Sequence, residues 1–89
     1  MDYYVYILKC ADNTLYTGIT NDLGSRIVVH NSGKGSKYTR TRLPVVLEYK
    51  EICENKSTAL QRELQIKKMT RNRKLRLIEE GRKGKHEEV

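Results

Sequence analysis

The chain has 89 residues, which is enough for one small domain, and 37 % of them are hydrophobic. Its formal net charge of +7 favours an anionic partner, most simply nucleic acid, over the alternative of a basic protein with no polyanionic partner. No segment approaches the roughly 20 apolar residues of a membrane span and no secretory leader is visible, so the sequence predicts a cytoplasmic protein without a membrane partner.

Two short runs near the N-terminus predict a β-hairpin. Residues 3–11 and 15–20 are rich in β-branched residues and tyrosine, which are typical of strands. Asp12, Asn13 and Thr14 supply the turn, and asparagine tolerates positive φ. Gly18 lies inside the second strand, where a glycine often marks the close approach of another group.

The length of the hairpin loop decides whether two tyrosines share a face of the sheet. A two-residue turn would pair Lys9 with Tyr16 and place Tyr6 and Tyr16 on opposite faces. A three-residue loop, which we expect to pair Cys10 with Tyr16, places them on one face. Periodicity alone leaves both open, and we predict the three-residue loop because a shared site requires it.

A helix is expected over residues 23–31, capped by Asn21 or Asp22 and ended by Gly33. Arg26 and His30 are four positions apart on this helix, so they share one face at the edge of the core. An arginine there could bind a phosphate in forked geometry, and the histidine could share a proton with a hydroxyl. The alternative is an ordinary amphipathic helix with a snorkelling arginine and a packed histidine.

The segment from residue 23 to residue 47 contains no acidic residue. Its glycines predict a flexible loop, in which cations alternate with small hydroxyl residues and one aromatic ring. This pattern is typical of a loop that contacts phosphates and stacks on a base, although a solvated basic loop is equally compatible with it. The candidate nucleic-acid contacts are Lys34, Lys37, Tyr38, Arg40 and Arg42.

The second half of the chain predicts one strand and two helices. The strand covers residues 45–52, the first helix runs from Ser57 or Thr58 to about residue 69, and the second covers residues 71–80. Thr70 is the candidate cap of the last helix and Gly81 its end. We therefore expect one domain over residues 1–80 and a disordered charged tail over residues 81–89.

The two cysteines, Cys10 and Cys53, lack the spacing of a metal site. Both fall in apolar, strand-like runs. We therefore interpret them as reduced thiols buried in the core.

Glu63 is an anomaly in the predicted helix. On a helical wheel it falls inside an apolar arc bounded by Ala59 and Ile66 on one side and by Leu60 and Leu64 on the other. A charged carboxylate facing the protein body is costly unless it has a partner. That partner could be a neighbouring Arg or Lys, or it could be a metal ion.

Taken together, five elements in this order resemble the GIY-YIG nuclease family, of the small stand-alone bacterial type, over residues 3–78. Tyr4 stands where the family has the glycine of its first triplet, and Thr17 stands where it has the isoleucine of its second. The matching segments are Tyr4-Val5-Tyr6, Tyr16-Thr17-Gly18-Ile19-Thr20, Asn21-x-Leu23-x-x-Arg26-x-x-x-His30-Asn31, Lys37-Tyr38-Thr39-Arg40 and the helix of residues 59–68.

The resemblance implies an α+β fold, a small three-stranded antiparallel sheet flanked by helices, which agrees with the count of strands and helices above. It also implies a metal-dependent nuclease that cuts phosphodiester bonds, in DNA, during repair or processing of non-duplex structures. In this family pattern Tyr6 matches the general base, and Tyr16 matches its helper or replacement. Arg26 matches the arginine that binds the phosphate, and His30 matches the histidine that assists the tyrosine. Glu63 matches the ligand of one Mg²⁺ or Mn²⁺ ion.

Two alternatives stay open at this point. The chain could be a non-catalytic nucleic-acid-binding module on the same fold, or a subunit that is active only with a protein partner. The sequence leaves the choice between DNA and RNA and the oligomeric state open.

Overall fold

The computed structural model describes residues 2–87, with side chains described to residue 83. Within this range the strands are β1 (Tyr3–Lys9), β2 (Leu15–Thr20) and β3 (Val46–Cys53), and the helices are α1 (Leu23–Asn31), α2 (Lys56–Lys67) and α3 (Arg71–Glu87). A short 3-10 helix occupies Thr39–Thr41. The sheet order is β2-β1-β3 and both pairings are antiparallel, which confirms the predicted fold class.

The hairpin between β1 and β2 has a loop of residues 11–13, closed by the Cys10 N–H, which donates to the Thr14 carbonyl at 2.9 Å. The predicted pairing of Cys10 with Tyr16 is therefore wrong, because Tyr16 lies opposite Leu8. The true register differs from the predicted one by two residues, and a shift of two leaves every side chain on the same face. The two tyrosines accordingly share a face, as predicted, with the Tyr6 and Tyr16 ring centroids 6.5 Å apart.

Strand β1 is central in the sheet and contributes to a separate hydrophobic cluster on each face. On one face Val5 and Ile7 pack under α2 and α3. On the other face Tyr6 and Leu8 pack against α1 and the segment that leads into β3. The alternation of β1 side chains thus divides the small core, and the tyrosine face is the one that α1 covers.

The cysteines lie in different clusters. Cys53 packs in the cluster under α2 and α3, and Cys10 in the cluster that contains Tyr6. Both are buried free thiols, which confirms their predicted structural role.

Polar side chains cap the helices at their N-termini. The Asp22 carboxylate accepts from a backbone N–H of the first turn of α1 at 3.2 Å, and the Thr70 hydroxyl does the same for α3 at 3.2 Å. Helix α2 is capped by Asn55, whose side chain accepts from the Thr58 N–H at 2.9 Å, so the predicted start at residues 57–58 is late. The side-chain carbonyl of an asparagine accepts a hydrogen bond from a first-turn N–H, just as the expected serine or threonine hydroxyl would do.

Helix α3 continues to Glu87, past Gly81, where the sequence places its end. Gly81 allows this helix to approach β3, because a Cβ at that position would lie 3.0 Å from the Tyr49 ring. One residue later, Arg82 pairs with Glu48 of the same strand. These contacts correct the predicted helix end, and the last two residues of the expected tail lie outside the described residues.

None of the helices within residues 2–87 is both long and apolar enough to cross a lipid bilayer.

Candidate active site

The phenol of Tyr6 lies at the centre of the tyrosine face and is 1 % exposed. Its strand partner is Gly18, and a Cβ on that residue would lie 2.6 Å from the Tyr6 Oη and 2.7 Å from its Cζ. Only a residue without a side chain leaves room for the ring. The glycine inside β2 therefore marks a close approach, as the sequence indicates.

His30 projects from α1 into the same buried space and is fully buried. Its Nε2 lies 2.9 Å from the Tyr6 Oη, and its Nδ1 lies 2.9 Å from the Oγ1 of Thr39, which is also fully buried. The Thr39 hydroxyl continues to the Ser36 Oγ at 2.9 Å. The side chains of Tyr6, His30, Thr39 and Ser36 thus form one hydrogen-bonded row, which runs from the sheet to the basic loop of residues 34–42.

The basic loop is closed over His30 by Gly35. A Cβ at position 35 would lie 2.3 Å from the His30 Nδ1 and 2.7 Å from its Cα. The Gly35 carbonyl also accepts a hydrogen bond of 2.7 Å from the Arg26 Nη2. The segment that the sequence predicts to be flexible is therefore tied to α1 at the position of the histidine.

Burial and the charge of Arg26 determine the protonation states of Tyr6 and His30 in this row. Burial raises the pKa of the Tyr6 phenol, and the hydrogen bond and charge of Arg26 act in the opposite direction. Burial, with the repulsion of Arg26, lowers the pKa of His30. Near neutral pH the imidazole is therefore neutral, and it can accept a proton from Tyr6 at Nε2 while it donates from Nδ1 to Thr39.

Tyr16 connects this buried row to the surface. Its half-buried ring makes an edge contact with the His30 ring at 5.1 Å and stacks on Tyr38 with centroids 6.1 Å apart. The guanidinium of Arg42 lies 3.9 Å from the centre of the Tyr38 ring. The ring of Tyr38 thus contacts protein groups while the residue is 37 % exposed, and its role in stacking on a base stays a prediction.

The predicted cations of the loop fall into two groups. Arg42 is engaged internally, through an ion pair with Asp12 at 3.0 Å and a hydrogen bond of 2.7 Å to the Tyr38 carbonyl. The other three are exposed and make no ion pair within the part of the chain that the structure describes: Lys34, Lys37 and Arg40. These three are the loop cations that are free to meet a polyanion.

Glu63 lies on the inward side of α2, where its side chain is 18 % exposed. Its charge raises the pKa of the Tyr6 phenol, but less than burial and the neighbouring Tyr16 do. The apolar arc is narrower than the sequence predicts, because Leu60 and Leu64 are 45 % and 55 % exposed. The partner of the carboxylate is Lys67, at 3.3 Å.

Glu63 could hold one divalent ion. Within residues 2–87 no group of three or more His, Cys, Asp or Glu side chains converges on a metal position. A single carboxylate is nevertheless compatible with Mg²⁺, which usually keeps several waters and takes further oxygens from a substrate phosphate. The positively charged ammonium of Lys67 already lies beside this carboxylate, so a positive charge fits at that place.

Sequence reasoning missed the part that Thr39 and Gly35 play. Both lie in the loop that was assigned to nucleic-acid contact, and no periodicity links them to His30. The closest signal is the spacing of Ser36 and Thr39, since a serine hydroxyl that accepts from the N–H three residues later is a common local motif, realised here at 3.0 Å.

Comparison with known proteins identifies the family of the chain. The family described as the GIY-YIG catalytic domain matches residues 2–76. A UPF0213 protein of Staphylococcus haemolyticus is 56 % identical over 78 residues, which cover 88 % of this chain and 95 % of the relative. A UPF0213 protein of Clostridium perfringens is 63 % identical over 75 residues, 84 % of this chain and 81 % of the relative.

Two structures solved by NMR share the fold. The UPF0213 protein from Bacillus halodurans superposes with a TM-score of 0.58 at 43 % identity, covering 89 % of this chain and 84 % of that one. A protein from E. faecalis superposes with a TM-score of 0.59 at 36 % identity, covering 86 % of this chain and 83 % of that one. With the family match spanning most of its length, the chain belongs to the GIY-YIG nuclease superfamily.

Proposed function

We propose that the protein is a metal-dependent nuclease that hydrolyses phosphodiester bonds in DNA. The observation that carries the proposal is the hydrogen bond between the Tyr6 phenol and the buried, neutral imidazole of His30, with Arg26 beside both. A tyrosine needs a proton acceptor or nearby positive charge to act as a base near neutral pH, since its ordinary pKa is about 10. This arrangement supplies both.

Tyr6 is the general base in this proposal. As the attacking water approaches phosphorus, one of its protons passes to the Tyr6 Oη while the phenol proton passes to the His30 Nε2. A new phosphorus–oxygen bond forms as the bond to the leaving oxygen breaks, and solvent supplies the proton that this oxygen takes up. The imidazolium then returns its proton to solvent, which completes the cycle.

Arg26 binds the phosphate. One of its nitrogens is held by the Gly35 carbonyl, which fixes the orientation of the guanidinium and leaves its other donors for phosphoryl oxygens. Positive charge placed where negative charge develops lowers the barrier most when it is already oriented. Tyr16, half-buried at the edge of the same row, lies between the buried groups and incoming substrate.

Glu63 would hold one Mg²⁺ or Mn²⁺ ion. When bound, such an ion would supply Lewis-acid stabilisation of the phosphate and of the leaving oxygen. The role of the protein is to direct the carboxylate inward on α2, where its cationic partner is Lys67.

The test is a cleavage assay on a panel of duplex, flap, branched and single-stranded DNA with Mg²⁺ or Mn²⁺. The Tyr6→Phe variant should lose about 10²-fold or more in rate, since a positioned base contributes about that much. Tyr3→Phe is the matched control, because Tyr3 lies on the same strand but packs in the opposite cluster. Equal rates for the wild type and Tyr6→Phe would remove Tyr6 from the mechanism.

A second function, nucleic-acid binding without catalysis, is favoured by one observation. The Tyr6 phenol is almost inaccessible, and burial moves its pKa away from the range of an efficient base. A binding module would retain salt-dependent affinity for DNA and cut none of the substrates with either metal. The same assay, run beside a binding titration, separates the two functions.

A further inference from the structure

A surface depression adjoins Tyr16. It is bounded by β2, by the basic loop and by the two C-terminal helices. The residues that line it are Leu15, Tyr16, Thr17, Tyr38, Lys67 and Lys74. Tyr16 therefore both contacts His30 of the candidate active site and lines this depression.

Thr17 has a buried hydroxyl that lacks a partner. Its side chain is 4 % exposed, and Oγ1 is the one buried side-chain nitrogen or oxygen within the described residues that makes no hydrogen bond. Thr17 lies opposite Ile7 in the sheet, on the face of the apolar cluster, where an aliphatic residue would avoid this loss. A ligand that accepts a hydrogen bond from this hydroxyl would supply the missing partner.

Two lysines bring positive charge to the same depression. Lys74 is half-buried on α3 and makes no ion pair among the described residues. Lys67 is paired with Glu63 at 3.3 Å, a contact that a cation on Glu63 would replace. A hydroxyl donor and two ammonium groups that line one depression together suit an anion.

The aromatic ring at the rim is already occupied by protein groups. Tyr38 stacks on Tyr16 and carries the guanidinium of Arg42 over its ring. A nucleic acid that enters the depression therefore meets a hydroxyl, two ammonium groups and aromatic rings that protein groups already contact. Such a surface reads the phosphate backbone and not the sequence.

We propose that this depression binds a backbone phosphate of the substrate strand, neighbouring the phosphate that is cut, through Lys74, Lys67 and the Thr17 hydroxyl. The inference rests on the proposed function, because it takes the strand to cross Tyr16 towards Arg26. It assigns to the protein a phosphate contact that is independent of base sequence. The ligand is a nucleic-acid strand held beyond the site of cleavage.

The experiment measures affinity against salt concentration in EDTA, for two duplexes and two single strands of unrelated sequence. Lys74→Ala should flatten the plot of log K against log salt by about 0.9 for duplex or about 0.7 for single strands, equally for both sequences. Lys56→Ala, the matched control, removes the same charge from the exposed far end of α2 and should change the slope much less. A slope unchanged by Lys74→Ala would overturn the inference.

Thr17→Val gives an independent readout. The substitution keeps the shape and removes the unpartnered hydroxyl, so it should weaken binding by about tenfold without lowering the melting temperature. Unchanged affinity in this variant would remove the hydroxyl from the site. If the wild type bound none of the four probes at any salt concentration, the proposed function would fall together with the inference, whereas binding by the wild type with unaltered variants would overturn the inference alone.

Discussion

Replacing Thr39 by valine should slow cleavage and destabilise the fold at the same time. The Thr39 Oγ1 lies 2.9 Å from the His30 Nδ1, and neither residue is exposed to solvent that could replace the lost partner. Valine has almost the same shape but no hydroxyl. The variant therefore leaves one imidazole nitrogen buried without a hydrogen bond.

The magnitude follows from that single unsatisfied nitrogen. A buried polar group that loses its partner costs about 1–3 kcal/mol, which corresponds to a fall of several degrees or more in melting temperature for a domain of this size. The imidazole can avoid part of this cost by moving its proton to Nε2. In that tautomer it donates to Tyr6 and no longer accepts the phenol proton, so the rate should fall by about 10²-fold, the contribution expected from the base.

The assay compares cleavage rates and thermal unfolding of the wild type, Thr39→Val and Thr39→Ser. Serine restores the hydroxyl and loses only a methyl group, so it should recover most of the rate while remaining somewhat less stable. If Thr39→Ser were as slow as Thr39→Val, lost packing and not the hydrogen bond would explain the effect. A wild-type rate in Thr39→Val would refute the link between Thr39 and the base.

Two further predictions concern Glu63 and His30. Glu63→Gln should abolish cleavage with Mg²⁺ while affinity for DNA in EDTA stays within a few-fold of the wild type, because the amide keeps the shape but not the charge that holds a cation. Glu54→Gln, at an exposed position, is the control. A fully active Glu63→Gln variant would contradict the metal role. Burial and the charge of Arg26 lower the pKa of His30, so the unfolded chain binds more protons and the unfolding free energy should fall as pH drops below about 6.5. Urea titrations at several pH values should show this slope in the wild type and a shallower one in His30→Gln, and identical slopes would show that another group titrates.

The predicted elements were largely right because each has a local cause. Period-two alternation and caps such as Asp22 and Thr70 act within a few residues, so the sequence contains them directly. The hairpin register was missed because three-residue loops of residues 11–13 and of residues 12–14 both keep the tyrosines on one face. In β3 a register shift opposite Ile7 and Leu8 breaks the alternation that sequence reasoning relies on.

Site residues were harder to predict where their role depends on distant contacts. An arginine such as Arg42 is a residue type that often contacts phosphate. Its side chain is instead bound by Asp12, which lies 30 positions earlier in the chain. Thr39 reaches His30 across nine positions with no helical or strand period between them. Formal charge and residue type therefore could not show which cations of the loop are paired internally. Only tertiary contacts separate Arg42 from the loop cations that stay exposed.

These tertiary contacts change how the basic loop would work. A flexible loop would have to be ordered by the nucleic acid, and the lost conformational freedom would reduce affinity. Here Gly35 is held by Arg26, Ser36 by Thr39, and Arg42 by Asp12, so the backbone that carries Lys37 is fixed before any ligand arrives. The loop thus covers the imidazole of His30 and presents the exposed Lys37 from one backbone that its own hydrogen bonds hold in place.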